Sequence, residues 1–321
     1  VAARTSTSRF KGRSEDVARI GEALKVRTLL EGSVRTAGNR LRITAQLINV
    51  KDGYHLWSER YDREMEDVFA IQDEIASQIV GALKVKLGQQ ELPRVKRHTE
   101  NLEAYHLYLK GRYFWFEPGA QDKALEAFRQ AIKQDPSYAL AHAGLAWVNE
   151  IMGIRCSLPP ERAYAQAKRA TERALSLDEN HADVQTALWS LRFFYEWNWD
   201  EAEKAITRAI ELETNNFEFH SWYSLHLACT GRMDAAAAEL ARAGELDPLS
   251  TYANYIATLV FLIGDQHDRA IHEAQKALEI DPDHIVALYG LGGAYIRASQ
   301  YDRAIGLLEL SLIQISEPTR L

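Results

Sequence analysis

Residues 233–282 read MDAAAAELARAGELDP (233–248), LSTYANYIATLVFLIGDQ (249–266) and HDRAIHEAQKALEIDP (267–282). The two outer pieces follow one plan: a turn, a helix of small residues, then Asp-Pro. Pro248 and Pro282 are 34 residues apart, and Ala236 and Ala270, like Ala243 and Ala277, keep that spacing. A fixed period of roughly 20–50 residues is the mark of an array in which each repeat buries its apolar face against the next. Small residues at every recurrence indicate two helices crossing closely. Asp-Pro closes the second helix because Pro cannot continue it.

The phase extends in both directions. QAIKQDP, RALSLDE and RAIELET place Ala131 and Pro136, Ala174 and Glu179, and Ala209 and Thr214 in the slots of Ala243 and Pro248; QYDRAIGLLEL places Ala304 in the slot of Ala270. The spacing predicts five helix-turn-helix units, 104–138, 139–181, 182–216, 217–250 and 251–284, with a sixth beginning at Ile285. The second is lengthened by a loop containing Ser157-Leu158-Pro159-Pro160. Gly111, Ala146, Ser224, Thr258 and Gly292 share one crossing slot on the first helix, broken only by Trp189; Ala124, Ala202, Ala236, Ala270 and Ala304 fill the matching slot on the second. In these residues the chain resembles the tetratricopeptide repeat family over 99–309. The resemblance implies an α-solenoid whose first helices line a groove. Its slots hold Tyr105, Tyr108, Arg112 and Trp115, then Leu140, Trp147 and Glu150, then Asp183, Thr186 and Phe193, then Tyr252, Tyr255 and Leu259. Aromatic and Arg side chains are the usual anchors of a binding surface. The paired Lys/Asn/Lys slots that grip a C-terminal carboxylate are missing, so the groove is not expected to clamp chaperone tails.

Charge divides the chain. Residues 1–98 carry 18 Lys+Arg against 13 Asp+Glu, whereas 99–321 carry 20 against 32. An acidic array repels phosphate backbones, so direct nucleic-acid binding is not expected. The basic run Arg94-Val95-Lys96-Arg97-His98 reads as a solvated linker. No apolar run is long enough to span a membrane, and no signal-peptide pattern opens the chain. It begins at Val1 rather than Met and reads as a piece of a longer protein. Cys156 and Cys229 give neither a disulfide framework nor a metal spacing.

Residues 1–98 follow different rules. Val1–Arg4 reads as a strand tail and Thr5–Arg13 as loop. Ser14 is placed as the N-cap of a helix over Glu15–Leu24. Strands are expected at Arg27–Thr36, Leu41–Val50 and Tyr54–Arg60, joined by turns at Ala37-Gly38-Asn39 and Lys51-Asp52-Gly53. In the second strand Leu41, Ile43, Ala45 and Leu47 share one face and Arg42, Thr44, Gln46 and Ile48 the other. Val68, Ile71, Ile75, Ile79 and Leu83 mark an amphipathic helix over Asp67–Leu87. The acidic run Glu59, Asp62, Glu64, Glu66, Asp67 reads as a solvated helix entry. VAARTSTSRFKGR (1–13) and LLEGSVRTAGNRLRITAQLINVKDGYHLWSERYDREMEDVFAIQDEIA (29–76) are similar to a bacterial domain related to the amino-terminal domain of TolB. TENLEAYHLYLKGRYFW (99–115) resembles its junction with tetratricopeptide repeats. That family's domain begins with a further strand and helix, so the sheet is expected to be incomplete, with an exposed edge. In such proteins an output module commonly shares the chain: a class III adenylate cyclase, a winged-helix or a Ser/Thr kinase domain. None of their motifs is present here.

Residues 310–321, LSLIQISEPTRL, read as an adapter-derived tail. The ten histidines form no ligand set: His267 and His272, like His220 and His226, are poorly aligned on their helices. Gly290-Leu291-Gly292-Gly293 follows no strand and is explained by the repeat phase. No nucleophile elbow or isolated carboxylate pair stands out. The expected fold is mainly α, a tetratricopeptide α-solenoid after a truncated α/β domain with a three- to four-stranded sheet. The expected role is a non-catalytic protein–protein scaffold without metal or cofactor, the sensory part of a cytoplasmic bacterial signalling protein. Alternatives are a cyclase or winged-helix regulator whose output domain lies elsewhere in the chain, or a periplasmic TolB-like partner.

Overall fold

Gly38 and Gly53, at φ of +59° and +71°, supply the left-handed backbone that two tight turns require. They connect β1 (Thr28–Ala37), β2 (Arg40–Asn49) and β3 (His55–Glu64) into an antiparallel sheet of order β1-β2-β3. The computed structural model describes residues 6–7, 9–12, 15–64, 68–87, 98–116 and 119–316, and the chain divides into two compact units, Val1–Arg97 and His98–Leu321.

In the first unit, Leu41, Ala45 and Leu47 are buried, as the alternation predicts. Ile48, expected on the opposite face, is buried too. Leu47 stands opposite Trp57 and Ile48 opposite His55, so β3 carries one extra residue there; β2 keeps an unbroken register with β1, so Ile48 stays on the face opposite Leu47 and both faces of this end of the strand are buried. β1 leaves Leu30 and Val34 exposed. Helix α1 (Val17–Ala23) is capped by Asp16, whose carboxylate accepts from the Ala18 N–H at 2.9 Å. This corrects the assignment to Ser14, which lies outside the described residues, as do Val1–Arg4. Ser6 and Thr7 are helical rather than loop. Gly21 faces Val50, whose side chain occupies the space of a Cβ. Ile71 on α2 (Val68–Leu87) is buried, as are Ile20, Leu24 and Tyr61. β3 runs further than expected, so Glu59, Asp62 and Glu64 are strand residues; Glu66 and Asp67 lie outside the described residues. Asp62 accepts from Arg42 and Arg40, at 2.9 and 2.8 Å, and these hydrogen bonds hold its carboxyl below the ordinary range.

The second unit is a solenoid of six helix pairs: α3 (Leu102–Phe116) with α4 (Gln121–Gln134), α5 (Ala139–Ile154) with α6 (Pro160–Leu177), α7 (Ala182–Ser190) with α8 (Trp199–Leu212), α9 (Phe217–Cys229) with α10 (Met233–Leu246), α11 (Thr251–Ile263) with α12 (His267–Ile280), and α13 (Ile285–Arg297) with α14 (Tyr301–Ser316). Asp135, Asp178, Glu213, Asp247 and Asp281 end second helices in one way. Each is extended, and its N–H bonds the carbonyl of Ala131, Ala174, Ala209, Ala243 or Ala277 respectively. A residue before Pro is held in that region. Glu179 and Thr214, standing where Pro would, keep the same geometry. The alanines of both second-helix slots are almost completely buried. The last helix continues past residue 309 to Ser316; Glu317–Leu321 lie outside the described residues. Among the described residues no helix is long and apolar enough to cross a membrane.

Phe128 shows why the crossing slots are small. It is fully buried on α4, between Gly111 of α3 and Gly144 of α5. A Cβ on Gly111 would stand 2.6 Å from its ring, and one on Gly144 2.5 Å. Trp189, the slot's exception, is 3% exposed and is followed by a π turn, Leu191–Tyr195. Gly231, Asp265 and Ser299, the left-handed residues closing α9, α11 and α13, each come 14 residues after their helix begins; Trp197, closing α7, comes 15 after. The π turn absorbs that one extra residue.

Glu150, expected in the groove, lies in the core at 2% exposure. The Ser190 hydroxyl donates to its Oε2, and Oε1 has no partner. Burial pushes its carboxyl up to about 8, against the pull of the Ser190 hydrogen bond.

Two outcomes are expected. Gly144→Ala adds a methyl where the Phe128 ring stands, costing about 1–3 kcal/mol from overpacking against a helix-propensity gain of about 1. Its melting midpoint falls, and Phe128→Leu in the same chain recovers part of the loss; a raised midpoint for the single variant would show that the ring yields freely. For Glu150, the folded chain holds a proton that the unfolded chain has released above about pH 4.3, so stability falls with rising pH until the folded carboxyl ionises near its raised value, by about 1.4 kcal/mol per pH unit. Glu150→Gln removes this slope, and its advantage in unfolding midpoint over the parent grows between about pH 5 and pH 8. Parallel pH profiles would show Glu150 ionised in the fold.

Candidate functional site

Five of the first helices begin on a side-chain cap; on α3 it is Asn101, whose Oδ1 accepts from the Ala104 N–H at 3.0 Å. His181 and His284 accept through Nδ1, Asn216 and Ser250 through oxygen, each from a backbone N–H two or three residues on. These caps fix where the next side chains stand. The residue after each helix start repeats in phase: Leu140, Asp183, Glu218 and Tyr252, with Tyr105 in the matching place on α3.

The expected groove residues divide into two layers. Tyr105, Arg112, Trp115, Asp183, Tyr252 and Tyr255, with Leu259, are half-buried and accessible. Tyr108, Leu140, Trp147, Glu150, Thr186 and Phe193 are buried. Apart from α7 and α9, successive first helices pack on each other, and the buried side chains lie in or beside these seams. Tyr108 lies 5.9 Å from Phe128 and 5.2 Å from Tyr138, ring centre to ring centre, within the core of the first two units. The Thr186 hydroxyl donates to the Asp183 carbonyl on its own helix.

Across this floor runs a ladder of indoles. Trp115 lies 6.2 Å from Trp147, Trp147 6.5 Å from Trp222, and Trp222 stacks on Trp189 at 5.7 Å with 12° between planes. Trp222 was missed because it stands one position off the slots. It also donates through Nε1 to the Tyr252 hydroxyl at 2.9 Å. Glu218 was within reach of the phase argument, sharing the slot of Asp183 and Tyr252. The backbones of α7 and α9 approach each other less than those of other successive first helices, and the Trp189–Trp222 stack fills the gap.

Charge sits at one end of the ladder. Arg112 reaches across the second unit to the Asp183 carboxylate at 3.4 Å, and its guanidinium lies 5.5 Å from the centre of the Trp147 ring. The Tyr108 hydroxyl is 3.5 Å from the same carboxylate. Burial opposes the charge on Arg112, but Tyr108, Asp183 and Glu218 together hold it on. Burial raises the Glu218 carboxyl to about 7, Arg112 opposing and Asp183 adding to the rise. Burial likewise raises the phenols of Tyr108 and Tyr252. The result is an aromatic floor with a cation, a carboxylate and a carboxyl that titrates near neutrality. Trp115 and Trp222 leave part of their rings accessible, while Trp147 and Trp189 are buried beneath them.

Models of the tetratricopeptide repeat match residues 188–251 and 262–315. A protein of Rhizobium meliloti (strain 1021), named as an adenylate cyclase, is 38% identical over 218 residues, 64% of this chain; the match spans about a third of that relative's length, 35%. Among solved structures, a tetratricopeptide repeat protein of Thermus thermophilus aligns with TM-score 0.50 and 18% identity, over 60% of this chain and 99% of its own. The human IFIT1 dimer, solved with m7Gppp-AAAA, aligns with TM-score 0.57 and 16% identity, over 78% of this chain and 59% of its own. These structures share the fold. The groove is therefore carried by a solenoid of tetratricopeptide repeats.

Proposed function

We propose that the chain is a protein-interaction scaffold whose first-helix groove holds an extended peptide segment of a partner. The observation that carries this reading is the half-buried aromatic row Trp115, Trp222, Tyr252 and Tyr255, backed by the buried indoles and joined to the Arg112–Asp183 pair. Such a floor accepts apolar and aromatic side chains while the charged end fixes direction. Trp115 and Tyr255 are the anchors, being aromatic, accessible and outside the tightest core. Tyr108 is unsuited to the test, since its loss removes core packing.

In this reading the scaffold serves a larger bacterial signalling protein in the cytoplasm, with residues 1–98 as a TolB-related module and an output domain elsewhere in the chain. The relative named as an adenylate cyclase favours a cyclase as that output. Reading the gene upstream of Val1 tests this part: an open frame running into a cyclase domain supports it, and a start codon directly before the first unit removes it.

For the groove, a peptide array is screened with the 321-residue chain, and the best peptide is titrated against Trp115→Ala and Tyr255→Ala. Loss of an aromatic anchor at about 2 kcal/mol corresponds to a roughly 30-fold weaker complex. Both variants are expected to weaken binding at least tenfold with an unchanged melting midpoint. Undiminished affinity in both would remove the groove from the interaction.

A further inference from the structure

A second site lies on the opposite stripe of α5. His142, Leu145 and Asn149 line an open pocket of ≈ 460 Å³ together with Arg129 from α4 and Arg169 and Arg173 from α6. Leu145 and Trp147 are two residues apart, about 200° around the helix, so this pocket and the indole ladder use different sides of it. All three guanidiniums lack a hydrogen-bond or ion-pair partner among the described residues. No carboxylate lines the pocket, although residues 99–321 hold 32 acidic against 20 basic side chains.

The other repeats provide an internal comparison. Arg208 and Arg242 occupy the slot of Arg173 in the third and fourth units. Arg208 pairs with Glu211 at 2.9 Å and bonds Asn180 at 3.2 Å; Arg242 pairs with Glu245 at 3.1 Å and bonds Asn215 at 3.0 Å. Three residues after Arg173 stands Ser176 instead of Glu, and its hydroxyl turns back to the Arg173 carbonyl. The second unit thus lacks the carboxylate that neutralises this slot in the third and fourth, and two further arginines stand beside it, Arg169 on α6 and Arg129 on α4 of the first unit.

The floor adds an independent observation. Asn149 is 1% exposed; its amide nitrogen donates to the Leu145 carbonyl at 2.7 Å, and its Oδ1 has no partner. A buried acceptor left unmade is costly unless a ligand or water supplies a donor. His142 donates through Nε2 to the Pro136 carbonyl at 3.1 Å; burial, with the Arg173 cation adding, lowers its basicity. The positive charge of the pocket therefore comes from the arginines.

Three guanidinium forks suit a group with several oxygens and more than one negative charge. A phosphoryl group has about −1.5 to −2 charge and three acceptor oxygens. The volume lies within the roughly 300–1,000 Å³ of small-molecule sites, and the lining comes from three neighbouring helices rather than along the array. We propose that this pocket binds a small molecule carrying a phosphoryl group, whose oxygens are taken by Arg129, Arg169 and Arg173 while a hydroxyl or amine of the same molecule donates to Asn149 Oδ1.

The test is calorimetric titration of the 321-residue chain with glycerol 3-phosphate, with sulfate and with an oligo-aspartate peptide. One saturable site is expected for glycerol 3-phosphate, with sulfate weaker because it carries no donor for Asn149. Arg173→Gln and Arg169→Gln each weaken binding at least about tenfold, as loss of a charge-assisted hydrogen bond predicts. Arg242→Gln, which removes an equal charge from a paired slot, leaves it unchanged. If a Gln variant fails to fold, Arg173→Lys keeps the charge, loses the fork and is expected to weaken binding several-fold. The proposal is overturned by no saturable heat, by equal affinity in the parent and the folded pocket variants, or by the peptide binding in place of glycerol 3-phosphate.

Discussion

Every helix pair of the solenoid except α7 and α8, where Trp189 stands at the crossing, crosses so closely that its crossing residue is small, and the rest of the array depends on that constraint. Close backbones leave room for Gly, Ala, Ser or Thr on one helix and Ala on the other. The larger side chains are then displaced to the seams between units, where they form the apolar clusters and the indole ladder. Phe128 is the limiting case, a full ring admitted because two neighbours, Gly111 and Gly144, have no Cβ.

This constraint explains what could be read in advance. The period, the unit boundaries and the alanine slots follow from residues that must be small, and such residues are visible in a sequence. The groove was harder. A slot argument places Tyr105, Arg112 and Asp183 on the inner face, where they are accessible, but places Trp147, Glu150 and Phe193 there as well, and these are covered by the following helix. Whether a side chain in a slot reaches solvent depends on how far the next helix leans over it, which no single helix encodes. Trp222 escaped for the reverse reason: it stands off the slots and reaches the face only because the gap beside Trp189 is wide. In the first unit, alternation identified the strands but not the extra residue on β3, which leaves no trace in β2, nor that Ile48 is buried on the face opposite Leu47.

The buried charges are arranged by the same packing. Glu150 and Glu218 both have carboxyls raised by burial, yet their surroundings differ. Glu150 meets a hydroxyl within the core and has no cation beside it. Glu218 stands near Arg112 and Asp183, so its proton is coupled to their charges as well as to burial.

The extra residue of α7 reaches beyond its own helix. One residue turns an α-helix through about 100°, and the π turn that ends at Tyr195 takes up that rotation. Tyr195 thereby faces the second unit, where its hydroxyl donates to the Glu150 carbonyl at 2.9 Å and its ring lies 5.5 Å from that of Tyr164. The same hydroxyl occupies the space that a side chain on Gly153 would need. Gly153 is thus closed from two sides, since a Cβ there would also stand 2.6 Å from the Ala163 methyl on its own partner helix, and the extra residue of α7 ties the packing of the second repeat to the geometry of the third.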